Sequence, residues 1–101
     1  MTMAQGSLAA FRESLSETAP PAGASAALRA LWWDAKGDWD KAHDAAQSDD
    51  GAQASLVHAY LHRKEGDLGN AGYWYRRTGR TVHRGTLDEE WRALVVEMLG
   101  G

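Results

Sequence analysis

Cysteine is absent from the 101 residues. That removes disulfides, thiolate metal ligands and cysteine nucleophiles together, and it accords with a reducing compartment. The only two prolines are adjacent, Pro20 and Pro21, so the chain has one strong helix breaker. No window approaches the roughly 18 consecutive apolar residues of a membrane span. The opening MTMAQGSLAAFRESLSE lacks the basic flank and unbroken apolar core of a secretory signal. The expected location is therefore the cytoplasm, with no membrane partner. Almost nothing alternates with period two, so strands are not expected. The phosphate loop GxxxxGKS/T, the dinucleotide fingerprint GxGxxG and the serine elbow GxSxG are missing too.

What is present reads as one folded domain: 44% hydrophobic residues against 25% charged, in a length that supports a single modest core. The net charge of −3 conceals a pattern. Residues 1–57 carry four basic and eight acidic side chains, residues 58–84 carry six basic and two acidic, and residues 85–101 carry one basic and four acidic. A basic segment between two acidic ones fits either internal neutralisation between packed helices or a local anion-binding surface.

Apolar residues recur at helical spacing along most of the chain. Leu8, Phe11 and Leu15 predict a helix over 5–17, ended by Pro20-Pro21. A first helical hairpin is expected over 24–48, with Gly37 as its stop and Asp38 as the next cap. A second is expected over 52–78, with Gly66 and Asp67 in the same two roles. Thr86 and Glu89, three apart, fit a capping box that opens a closing helix over 86–99. Gly69 and Gly72 inside the second helix of the second hairpin predict that a neighbouring helix, a tryptophan or a ligand approaches the backbone there.

The two hairpins repeat one another. KGDWDKA at 36–42 returns as EGDLGNA at 65–71, and the same 29-residue offset pairs Ala30 with Ala59, Leu31 with Tyr60 and Trp32 with Leu61. The turn needs glycine for a left-handed residue and aspartate for a cap; Trp39 and Leu68 then lie where they can pack back on the preceding helix. The blocks ALWWDAKGDWDKA and AYLHRKEGDLGNAGYWYRR resemble tetratricopeptide and Sel1-like repeats. That resemblance implies stacked antiparallel hairpins presenting a groove to a peptide or protein, with the flanking helices as caps. The chain also resembles a group of short bacterial proteins carrying the same ALWWDAKGDWDKAH and VHAYLHRKEGD blocks, a likeness that brings no activity with it. The expected architecture is all-α, about six helices, with two central hairpins stacked in the tetratricopeptide manner.

Two constellations could carry chemistry. His58, His62 and Glu65 share one side of a helix at a spacing suited to a divalent metal such as zinc, manganese or iron, with His43 or Asp44 on the preceding helix as a further donor. The ordinary alternative is that these histidines bond to neighbouring backbone or carboxylates. Ala-Tyr-Leu between them excludes the HExxH hydrolase motif. The other constellation is GYWYRRTGRTVHR, where arginines adjoin aromatics. Tyr73, Trp74 and Tyr75 are consecutive on a helix and cannot form one flat platform, and an acidic protein lacks the field of a nucleic-acid binder. An acidic protein or peptide is the expected partner, held by Arg63, Lys64, Arg76 and Arg77, with Trp33 or Tyr60 as the apolar anchor. Uncovered apolar surface on two short hairpins also allows self-association.

Overall fold

Five of the six α-helices start on a side chain that accepts from an otherwise unpaired first-turn amide. Ser7, Ser25, Asp38, Asp67 and Thr86 serve α1 (Leu8–Glu13), α2 (Ala26–Ala35), α3 (Trp39–Gln47), α5 (Leu68–Arg77) and α6 (Leu87–Met98). Only α4 (Ala52–Glu65) starts on a glycine, Gly51. A single 3-10 turn, Ser14–Ser16, extends α1. The computed structural model describes residues 7–100, and residues 5 and 6 of the expected first helix lie outside that range. Among the described residues there is no strand, and no helix is long and apolar enough to cross a membrane.

The two hairpin turns agree bond for bond at the 29-residue offset. Gly37 and Gly66 both take positive φ, +85° and +90°. Asp38 N–H donates to Trp33 O at 3.0 Å and Asp67 N–H to His62 O at 2.9 Å. Gly37 N–H donates to Asp34 O and Gly66 N–H to Arg63 O, which completes the left-handed closure that only glycine adopts without strain. Asp38 then accepts from Lys41 N–H, and Asp67 from Asn70 N–H.

α4 is the axis of the molecule. It packs against α2, α3, α5 and α6, and every residue from 54 to 62 is buried; a helix enclosed on all sides has no solvent stripe. Ala42, Ala46, Ala59 and Ala71 are almost fully enclosed, small side chains that let the axes approach. The Trp39 indole N–H crosses to Leu61 O on α4 at 3.0 Å and ties the first hairpin to the second. Its counterpart Leu68 has no further hairpin to meet and is 64% exposed.

α6 does not extend the stack beyond α5. It returns across α2, α4 and α1, where Trp91 N–H donates to Leu31 O at 2.9 Å. The Thr86–Glu89 capping box is formed in both directions. Gly69 and Gly72 do not mark a close approach. A Cβ at Gly69 would meet nothing within 4 Å, and one at Gly72 only the Arg76 guanidinium at 3.1 Å.

Candidate metal centre

Three histidines from two hairpins converge between α3 and α4. His58 and His62, one turn apart on α4, are 6% and 7% exposed. His43 reaches them from α3 and is half-buried. One nitrogen of each ring lies within 4.8 Å of the others. The closest pair is His43 Nε2 and His58 Nε2 at 3.0 Å, so one ring donates an N–H to the lone pair of the other. Ring centroids are 4.6 Å apart for His43 and His58, 4.8 Å for His58 and His62, and 5.3 Å for His43 and His62. A tetrahedral zinc with Zn–N near 2.1 Å would hold two ligand nitrogens about 3.4 Å apart and their ring centroids roughly 5 Å apart. The rings already stand close to that arrangement.

Glu65 is not a fourth ligand. Its Oε2 lies 2.7 Å from His62 Nδ1, where a carboxylate accepts the Nδ1 proton. This fixes the tautomer and leaves Nε2 of His62 as the free lone pair, an arrangement common behind metal-bound histidines. His58 is held well below the ordinary histidine range, at about 4, first by burial and then by His43 and His62 beside it. It is therefore neutral at physiological pH, the state a metal ligand requires. Indole rings form two walls. Trp39 stacks on His43 at 4.9 Å and 11°, and Trp74 stacks on His58 at 4.2 Å and 14°.

The residues expected to hold a partner are not gathered on one surface. Tyr60 is 2% exposed and donates its hydroxyl to Asp34 at 2.6 Å, so it is a core residue and no anchor. Arg63, with a side chain 15% exposed, pairs with Glu90 at 2.7 Å and also donates to Gly85 O. Lys64 pairs with the same Asp34 at 2.7 Å. Both Tyr60 and Arg63 end in contacts between packed helices: the Tyr60 hydroxyl on Asp34 of α2, and the Arg63 guanidinium on Glu90 of α6. Trp33 is half-buried in the first hairpin, edge-on to Trp32 and beneath the Lys41 ammonium at 4.3 Å. Arg76 and Arg77 are exposed, as is Lys64 beside its ion pair, and Arg77 lies over Trp74 at 5.2 Å.

Four functional or structural residues escaped the sequence reading. Trp39 stands four residues before His43 on the same helix, a stacking distance visible in WDKAH. Trp74 arrives from α5, 16 residues from His58, and no local pattern announces it. Asp34 and Glu90 sit on the buried faces of their helices, three residues after Leu31 and Leu87; a charge within an apolar stripe was the available signal. No protein-family model, curated protein or solved structure matches the chain, so the centre is read from its geometry alone.

Proposed function

We propose that this is a small helical-repeat protein, of the tetratricopeptide-like kind, that binds a divalent transition-metal ion through His43, His58 and His62. One observation carries the reading: three neutral-capable imidazoles from two separate hairpins direct ligand nitrogens to within 4.8 Å of one another. An all-nitrogen set without a carboxylate suits zinc, or iron or copper, better than manganese. Glu65 supports the set through His62.

The test is metal analysis of the purified protein together with thermal melts in added zinc. At a hundredfold excess over Kd, binding to the folded state contributes about 2.7 kcal/mol, and each kcal/mol raises Tm by roughly 4–8 °C in a domain of this size. The expected shift is abolished in His58→Ala/His62→Ala. Protein that carries no metal and melts unchanged with zinc, iron and copper present rules the reading out.

A second reading rests on the solvent side of α5. Leu68 and Tyr73 are 64% and 47% exposed there beside Arg76 and Arg77, an apolar and basic combination that suits an acidic protein or peptide. It predicts partner capture that weakens in Arg76→Glu/Arg77→Glu with the helical circular dichroism unchanged. Equal capture by that variant removes both arginines from the proposal.

A further inference from the structure

We infer that an ion in the three-histidine centre keeps one coordination position open to solvent, and that this position takes a small anion. The inference rests on the metal-binding reading above and concerns what the bound ion can then do.

Three features support it. The protein supplies three ligands and no more. Among the described residues two groups of potential ligands converge and share His62: the buried His43, His58 and His62, and the exposed-side His62, Glu65 and Asp67. Cysteine is absent from the chain, and Glu65 of the second group is turned to Nδ1 of His62 at 2.7 Å, away from the three-histidine face. The remaining walls cannot coordinate. Indole has no lone pair to offer, and the Trp39 N–H is already spent on Leu61 O. A tetrahedral ion held by three nitrogens therefore has a fourth direction without a protein ligand, the donor arrangement that separates reactive zinc sites from closed structural ones.

Charge sets the class of ligand. Three neutral imidazoles leave a divalent ion with its full +2, and no first-sphere carboxylate offsets it. An anion in the fourth position is favoured over a neutral molecule of equal size, and a zinc-bound water there ionises near pH 7. Burial sets the size and direction. His58 and His62 are enclosed while His43 is half-open, so the approach runs past His43. Trp39 and Trp74 stack on His43 and His58, so a small anion such as azide is the probe suited to that position.

Cobalt(II) titrated into the intact protein tests both steps separately. Binding gives the intense visible bands of four-coordinate cobalt, and sodium azide then shifts those bands in a saturable way. Bands that appear but ignore azide mean a fourth protein ligand closes the centre: this inference falls and the metal-binding reading stands. Folded protein that develops no cobalt bands overturns both. Glu65→Gln settles which group would be at fault. With Glu65 outside the first sphere, cobalt affinity falls about 10–100-fold and the azide response persists. Azide sensitivity that arises only in Glu65→Gln identifies Glu65 as the fourth ligand and overturns the inference.

Discussion

The two sides of α4 bury polar groups in opposite ways. Toward α2 and α6, Asp34 meets Lys64 and the Tyr60 hydroxyl, and Glu90 meets Arg63 and the Tyr75 hydroxyl at 2.5 Å. Every charge there has a complement, and both tyrosine hydroxyls are pushed above their ordinary pKa, first by burial and then by the carboxylate each one serves, so they stay protonated donors. Toward α3 and α5, three imidazoles face one another, His43 and His58 share one hydrogen bond, and the one carboxylate at hand, Glu65, meets His62 from outside the trio. Groups that hold helices together are closed by opposite partners, whereas here the lone pairs are left pointing inward. That is the physical difference between a fastening and the metal site proposed for this cluster.

The largest effect should come from breaking the closed side. Glu90→Ala removes the carboxylate that balances the Arg63 guanidinium, leaving it only Gly85 O, and takes the acceptor of the buried Tyr75 hydroxyl. Removing one member of such a pair costs about 3–5 kcal/mol, to be measured by urea unfolding. A loss below 1 kcal/mol would show that the pair is no fastening, and the contrast between the two sides would disappear.

The histidine side should reveal itself through acid. The His58 pKa is about 4 in the folded protein against about 6.5 for a free histidine. Below the free value the unfolded chain takes up a proton that the folded one refuses. The metal-free protein therefore keeps this part of its stability above pH 6.5, loses it progressively as pH falls toward 4, and loses no more below. Melts recorded between pH 7 and 5, above the range where carboxylates titrate, should show a fall that His58→Asn flattens. A Tm that is level across this interval would mean that His58 takes up its proton alike in the folded and unfolded chain, and its burial as a neutral ring would be wrong.

The smallest effect should follow His43→Ala. His43 is half-buried, and its polar bond is the shared one with His58, so truncation costs about 1 kcal/mol in the metal-free protein. The same substitution should abolish the zinc-induced rise in Tm. A large stability loss with zinc response intact would reverse the comparison and make His43 a fastening.

The hairpins and the histidines were legible to very different depths. Gly37 and Gly66 announce their turns because a left-handed residue is a strictly local demand, met within the same few amides. His58 and His62 share a side of α4 by spacing alone, and the helix before them carries His43. What spacing does not contain is which side of α4 faces outward. A helix enclosed all round shows no amphipathic stripe, so spacing alone does not reveal that Tyr60 meets Asp34 of α2 or that Arg63 meets Glu90 of α6. Trp74 depends on where α5 lands, a property of the whole stack. The glycines at 69 and 72 carry the same lesson in reverse: open space beside Gly69, and only the Arg76 side chain over Gly72, leave them as readable as a packed helix would.

Because Trp39 and Trp74 lie face to face with His43 and His58, the centre carries its own optical readout. An excited indole is quenched by a cationic imidazole pressed against it, so ultraviolet emission will brighten or dim as the rings gain or lose charge. The molecule can be watched without attaching a dye.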